Sequence, residues 1–138
     1  MSYMRKEFMI ENTAERVWEA VRDFAAVHQA LAPGFVTDTH VEGDRRIVTF
    51  AGGAVAHERL VSLDEDARRV AYTVVGGSLT PEHHHASMQV FAVEPSRCLF
   101  VWIVDVLPQE IAGPLAGMVE AGARVIKETL DIGAAPAA

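Results

Sequence analysis

Apolar and polar residues alternate through the middle of the chain, in segments that end at turn-forming residues. Such alternation is typical of β-strands, whose successive side chains point to opposite faces of a sheet. The segments lie at 34–43, 44–53, 53–66, 68–77, 82–93 and 97–108. Each is rich in β-branched or aromatic residues and bounded by Gly, Asp, Glu or Pro, and the short separations favour antiparallel hairpins. Another short strand is predicted at 5–11, with Phe8 and Ile10 on one face.

Two short helices are predicted between the first strand and the others. Asn12 or Thr13 can cap the first helix, and Glu15 places an acid in its first turn, where the helix dipole favours it. The apolar stripe of this helix comprises Val17, Trp18, Val21 and Phe24. A second helical piece at 25–32 stops before Pro33, because the residue that precedes a proline is disfavoured in the α region.

The last part of the chain predicts a long amphipathic helix. Small and apolar residues recur there at three- and four-residue spacing, namely Ile111, Leu115, Met118, Val119, Gly122, Val125, Ile126 and Leu130. Pro114 lies inside this stretch, so the regular helix is expected to begin there, after a looser turn. The tail at 133–138 has nothing to pack against and is expected to fray.

The glycines of this last segment raise a question of packing. They are Gly113, Gly117, Gly122 and Gly133. A glycine inside a helix costs about 1 kcal/mol relative to alanine, so it needs a reason. Gly117 and Gly122 either leave space for a cavity on the side of the sheet or allow the helix to pack closely against the strands.

Together these elements predict an α+β fold in a single domain over 1–132. An antiparallel sheet with one apolar face must bury that face, and the last helix supplies a matching apolar stripe. We therefore expect a curved seven-stranded antiparallel sheet wrapped around a long C-terminal helix, with the two short helices after strand 1.

Composition excludes several classes of function. The net charge is −7 and the arginines are dispersed, whereas nucleic-acid binding needs a concentrated basic face. The apolar runs are too short to cross a bilayer, and the phosphate-binding, hydrolase and zinc-protease motifs are absent from the sequence. We expect no cofactor. Cys98 is the single cysteine, which favours a reducing compartment and hence the cytoplasm.

Several segments resemble a known superfamily in the expected order along nearly the whole chain. They are AERVWEAVRDF at 14–24, HERLVSLDEDARRVAYTVVGG at 57–77, ASMQV at 86–90 and VWIVDV at 101–106. The sequence resembles the START-like, Bet v 1-like superfamily (SRPBCC proteins), particularly its bacterial polyketide cyclase/dehydrase-type branch. The resemblance implies a helix-grip fold with a cavity between the concave sheet and the last helix. It also implies a hydrophobic or aromatic small molecule as the ligand.

Three consecutive histidines stand at the start of a predicted strand. His84 has the same parity as the apolar residues Ala86 and Met88, so it is expected to face the helix and the cavity. His83 and His85 then face solvent. Three adjacent residues of one strand cannot converge on one metal ion, so no metal site is expected. His84 is either a core histidine with a polar partner, a ligand contact or a general acid/base.

Other candidates for ligand contact come from the strands and the last helix. Glu58 resembles a glutamate that recurs in the family's middle strand. It lies near the cavity if it shares the face of Leu60, and it then needs a partner such as an arginine or histidine; otherwise it lies outside and bridges to a surface arginine. Tyr72 and Trp102, at family-like positions, either flank a planar ligand or simply fill the core. The weaker candidates for cavity walls are Phe35, Met88, Met118 and Gly122.

The last strand is apolar on both faces. Leu99, Val101 and Ile103 alternate with Phe100 and Trp102, so one of the two rows lies on the convex face of the sheet. Because contiguous exposed apolar patches usually mark an interface, the row of Leu99, Val101 and Ile103 predicts a homodimer. A β-bulge or a reversed strand phase would remove this expectation.

These features lead to three hypotheses about function. The first is binding of a hydrophobic or polycyclic aromatic small molecule beneath the C-terminal helix. The second is an enzyme, a cyclase, aromatase or dehydratase acting on a polyketide-like substrate, with His84 as general acid/base assisted by Glu58 or Tyr72. The third is a protein-interaction module with a closed core, which a filled interior would favour.

Overall fold

A computed structural model describes residues 3–132 of the chain. The strands are β1 (Tyr3–Ile10), β2 (Val36–Glu42), β3 (Arg45–Phe50), β4 (Val55–Asp64), β5 (Arg69–Gly77), β6 (His83–Glu94) and β7 (Arg97–Leu107). The helices are α1 (Ala14–Arg22) and α2 (Ala112–Leu130), with a π-helical turn at Val27–Leu31 and a 3₁₀ turn at Gln109–Ile111. The predicted tail at 133–138, including Gly133, lies outside the described residues.

The described strands form one antiparallel sheet in the order β1-β7-β6-β5-β4-β3-β2. From β2 to β7, strands that are neighbours in the sheet are also consecutive in sequence. β1 is the exception, because it pairs with the edge of β7 opposite to β6. The register shifts twice along β4, between His57 and Glu58 and between Leu60 and Ser62, and such bulges bend a sheet. The predicted helix-grip fold, a curved sheet around a C-terminal helix with short helices after strand 1, is confirmed.

The core lies between the concave face of the sheet and the helices. Alternation along β7 places Phe100, Trp102 and Val104 on this face, and all three are buried. α1 begins as predicted, because the Thr13 hydroxyl accepts a hydrogen bond from the Arg16 backbone N–H. Within residues 3–132, no helix is both long and apolar enough to span a membrane.

The predicted start of the last helix is wrong by two residues. α2 begins at Ala112, so Pro114 is its third residue rather than its first, and the looser turn ahead is the 3₁₀ turn at Gln109–Ile111. A proline is compatible with this position, because the N–H groups of the first helical turn have no partner inside the helix.

The prediction of an exposed apolar row on β7 is also wrong. Val101 is only 3% exposed, and Leu99 and Ile103 are half-buried. The reason is that β7 is an interior strand: Val101 lies directly between Glu7 of β1 and Gln89 of β6, whose side chains stand on the same face. The homodimer therefore stays a prediction without the exposed surface on which it was based.

Candidate functional site

A cavity of about 280 Å³ lies between the concave face of the sheet and the first half of α2. Most of its wall is aliphatic or aromatic. Of the residues predicted to contact a ligand, six line it: Phe35, Glu58, Tyr72, His84, Trp102 and Met118. Four other lining residues are exposed to solvent, namely Ala54, Ser78, Leu79 and Pro114. The cavity therefore opens where the β3–β4 turn, the β5–β6 connection and the start of α2 meet.

His84 is the polar residue whose state the structure defines best. It is 8% exposed, and its Nδ1 accepts a hydrogen bond from the Val74 backbone N–H at 3.0 Å. A neutral imidazole carries one proton, so that proton must lie on Nε2. Burial lowers the pKa of His84 to about 4, and the charges of His85 and His83 act in the same direction. At neutral pH, His84 is therefore an uncharged ring with an N–H donor at Nε2.

This tautomer limits what His84 can do chemically. Its one lone pair in the ring plane is at Nδ1 and is engaged by Val74, and Nε2 already carries a proton. A general base needs a free lone pair within reach of the proton that it abstracts. Among the described residues, no hydrogen-bond acceptor pairs with Nε2 of His84. The arrangement suits a hydrogen bond donated to a ligand and does not suit proton abstraction.

Tyr72 and Trp102 form a hydrogen-bonded aromatic pair across the concave face. The Trp102 indole N–H donates to the Tyr72 hydroxyl oxygen at 3.2 Å, and both residues are buried. Burial, and next the nearby Glu58 carboxylate, raise the pKa of Tyr72 well above its usual range, so the phenol stays neutral. The rings of Tyr72 and His84 lie 6.1 Å apart between centroids. The two rings thus border the same part of the cavity.

Glu58 is buried and paired with Arg46. The Arg46 Nε–H donates to Glu58 Oε1 at 2.8 Å, and the two residues are 5% and 8% exposed. The Arg46 guanidinium also donates to the Phe24 carbonyl oxygen at 3.3 Å and lies 4.2 Å from the centre of the Phe24 ring. A buried ion pair is tolerated when the charges are paired and further contacts, here with Phe24, engage the guanidinium. The sequence predicted an arginine or histidine partner for Glu58 but did not identify it as Arg46.

Comparison with family models identifies the fold family. The model described as "Polyketide cyclase / dehydrase and lipid transport" matches residues 2–135 of the chain. The chain belongs to this family. A comparison with curated proteins found no match.

Solved structures share the fold of this chain, among them a START superfamily protein. The chain is 18% identical to the protein XoxI from Bacillus cereus, with a TM-score of 0.85. The match covers 96% of this chain and 99% of that one. The chain is 15% identical to a START superfamily protein from Mycobacterium smegmatis, with a TM-score of 0.76, and the match covers 93% of this chain and 96% of that one. It is 20% identical to norcoclaurine synthase from Thalictrum flavum, determined in complex with dopamine and hydroxybenzaldehyde, with a TM-score of 0.67 and coverage of 91% and 84%.

Two residues predicted to contact a ligand do not line the cavity of this family member. A Cβ atom at Gly122 would lie 3.1 Å from the Phe35 ring and 3.2 Å from the Trp102 ring. Gly122 therefore allows close packing instead of leaving space, while Gly117 is exposed with nothing within 4 Å of such an atom. Met88 is buried in the core but lies four residues along β6 from His84, about 13 Å away by the rise of a strand.

Several walls of the cavity were missed by the sequence reasoning. The main ones are Phe50, Val106, Ile111 and Leu115. Phe50 packs edge-on against Phe35 with 5.4 Å between ring centroids. The alternation of the strands and the spacing of α2 marked these residues as apolar, but not which of them border empty space. Among residues 3–132, no group of three or more His, Cys, Asp or Glu side chains is placed to hold a metal ion.

Proposed function

We propose that this protein binds an apolar small molecule with aromatic rings in the cavity beneath α2. The observation that carries the proposal is the cavity itself: about 280 Å³, open to solvent, with aromatic and aliphatic walls and a few polar side chains. Ligand sites in proteins typically combine apolar walls with a small number of placed polar groups. An apolar cavity of roughly 150 Å³ accommodates benzene. The volume here therefore suits about two fused rings.

The polar side chains support a ligand-binding role for this space. His84, Tyr72 and Glu58 come from three neighbouring strands and border one cavity. Each is held by a partner within the protein, namely Val74, Trp102 and Arg46. Side chains fixed in this way are preorganised, so a ligand does not have to order them when it binds.

The comparisons are consistent with this proposal. The family description names polyketide cyclases and dehydrases together with lipid transport, all of which handle largely apolar molecules. The related norcoclaurine synthase structure contains dopamine and hydroxybenzaldehyde, which are aromatic. We further propose a cytoplasmic location, because Cys98 is the single cysteine of the sequence and is buried as a free thiol.

The other two hypotheses receive less support. A protein-interaction module with a closed core required a filled interior, and the open cavity argues against it. The enzyme hypothesis assigned general acid/base catalysis to His84, and the hydrogen bond from Val74 to Nδ1 argues against a basic role for that ring. Ligand binding is therefore the function that the geometry supports best.

A cavity-filling variant tests the proposal. The neutral dye N-phenyl-1-naphthylamine, whose fluorescence increases in apolar surroundings, serves as the probe. Its two fused rings match the volume of the cavity, and its phenyl ring can extend through the opening toward solvent. Met118→Trp enlarges a half-buried side chain on the wall of the cavity and should weaken dye binding at least tenfold. Arg124→Trp places the same ring on the exposed side of α2 and is the matched control. Equal affinity in the wild type and Met118→Trp would contradict binding in this cavity.

A second experiment addresses the natural ligand. Native mass spectrometry of the purified protein, followed by denaturing extraction, reports any co-purifying molecule and its stoichiometry. One apolar molecule per chain is the expected result and names a chemical class. The same spectrum measures the oligomeric state, which decides whether the predicted homodimer exists.

A further inference from the structure

We propose that the cavity selects an uncharged ring compound with one hydrogen-bond acceptor oxygen, such as a ketone, and that His84 donates its Nε2–H to that oxygen. This inference rests on the proposed function and adds the polarity of the ligand. It depends on two independent features of the site: a fixed donor at His84 and, among the described residues, a cavity wall without a positively charged side chain.

The first feature is the direction of the His84 hydrogen bonds. Because the Val74 backbone N–H occupies Nδ1, the ring cannot turn its acceptor toward a ligand without breaking a hydrogen bond inside the sheet. Nε2–H is thus the side of the ring that remains for a ligand. A buried donor that finds no acceptor costs free energy, so an apolar ligand that lacks an acceptor is disfavoured relative to one that has it. His84 therefore favours a ligand that has a hydrogen-bond acceptor over one that has only a donor.

The second feature is the distribution of charge around the cavity. Among the described residues that line it, Glu58 is the one charged side chain, and none is Lys or Arg. Arg46, which balances the charge of Glu58, is engaged by Glu58 Oε1 and the Phe24 carbonyl and stands outside the lining. A carboxylate ligand would lose its hydration and find no unpaired cation in return, because Arg46 is already paired with Glu58. The site should therefore reject anions of the same size and shape.

Three bicyclic compounds of similar size separate these effects. Tetralin has no oxygen, 1-tetralone adds a neutral carbonyl, and 1-naphthoate carries a charged carboxylate at pH 7.5. Their affinities are measured by displacement of N-phenyl-1-naphthylamine. From the net value of one hydrogen bond, 1-tetralone should bind tighter than tetralin by roughly 2- to 10-fold. 1-Naphthoate should bind most weakly of the three.

Two variants of His84 assign the preference to its Nε2–H. In His84→Asn the side-chain oxygen can replace Nδ1 as the acceptor for the Val74 N–H, but no donor remains at the position of Nε2. In His84→Gln the longer side chain places an amide N–H₂ near that position. We expect His84→Asn to lose the preference for 1-tetralone over tetralin and His84→Gln to keep most of it. Retention of tetralin binding by His84→Asn shows that the cavity itself is intact.

The outcomes distinguish this inference from the proposed function. If neither tetralin nor 1-tetralone displaces the dye, the proposed function fails and this inference fails with it. If both bind with equal affinity, or if His84→Asn keeps the preference, the cavity binds ligands but His84 does not select them. Tight binding of 1-naphthoate would overturn the exclusion of anions.

Discussion

Acidification should destabilise the protein through His84. The buried ring has a pKa of about 4 in the folded protein, whereas an unfolded chain restores the ordinary value of 6.5. Between these two pH values the unfolded state binds a proton that the folded state does not. Stability therefore falls as pH decreases from about 7 toward 4, and below the folded pKa both states are protonated and the loss is complete.

The size of the effect follows from the two pKa values. One pKa unit corresponds to about 1.4 kcal/mol, so the whole window can remove about 3 kcal/mol from the free energy of unfolding. At pH 5 the unfolded ring is nearly all protonated while the folded ring is mostly neutral. The expected loss between pH 7 and pH 5 is therefore about 2 kcal/mol.

The measurement is urea unfolding at pH 7 and pH 5, followed by tryptophan fluorescence, for the wild type and His84→Asn. The variant removes the titrating ring but keeps an acceptor for the Val74 N–H. The wild-type curve cannot be interpreted without the variant, because His40 also titrates. Hydrogen bonds to Glu42 and, to a smaller extent, Asp38 raise the pKa of His40, which favours the folded state in acid. Both proteins contain His40, so the difference between them isolates His84.

The comparison gives a clear refutation. If the wild type and His84→Asn lose the same free energy of unfolding between pH 7 and pH 5, His84 does not stay neutral in the folded protein. The assigned tautomer would then be wrong, and with it the role of Nε2–H as a donor. A loss about 2 kcal/mol larger in the wild type than in the variant supports both.

Three further predictions concern the packing of α2, the buried ion pair and the cap of α1. The added methyl group of Gly122→Ala would contact Phe35 and Trp102 too closely, whereas that of Gly117→Ala would contact no other residue. The free energy of unfolding should therefore be lower in Gly122→Ala than in Gly117→Ala by about 1–3 kcal/mol. Equal values would contradict the close packing of α2. Arg46→Met leaves the buried Glu58 carboxylate without its partner and should lower the free energy of unfolding, measured in urea, by about 3–5 kcal/mol. Adding Glu58→Gln should restore most of this loss. No recovery in the double variant would argue against the ion pair. Thr13→Ala removes the cap of α1 and should lower the unfolding free energy by about 1 kcal/mol, and an unchanged value would show that the cap is dispensable.

The proposed binding of a ligand depends on an interior that is packed in one part and open in another. One half of the concave face is packed, with Met88 and Phe100 in the core, and the other half is left open around His84 and Tyr72. Trp102 lines the open part and also packs closely against Gly122. Substitutions on the open side should change ligand binding with little effect on stability, whereas those on the packed side should do the reverse.

Local periodicity determined the elements and the faces of the strands. The side-chain period of a strand is two residues. The sequence alone therefore predicted that Trp102 lies on the same face of the sheet as Phe100 and that His84 points toward the interior. The three- and four-residue spacing of the last segment likewise predicted α2, apart from the position of its first turn. These features depend on neighbours in sequence, which is why they could be predicted.

Contacts between distant residues were decided only by the tertiary structure. β1 pairs with β7 and covers Val101, and the register of β3 with β4 brings Arg46 to Glu58. The sequence contains no local signal for either pairing. Nor could it show that Gly122 is in contact with Trp102 while space remains beside His84. Whether an apolar residue borders another side chain or an empty volume depends on how complete side chains from separate elements fill the interior, which hydrophobic pattern does not specify.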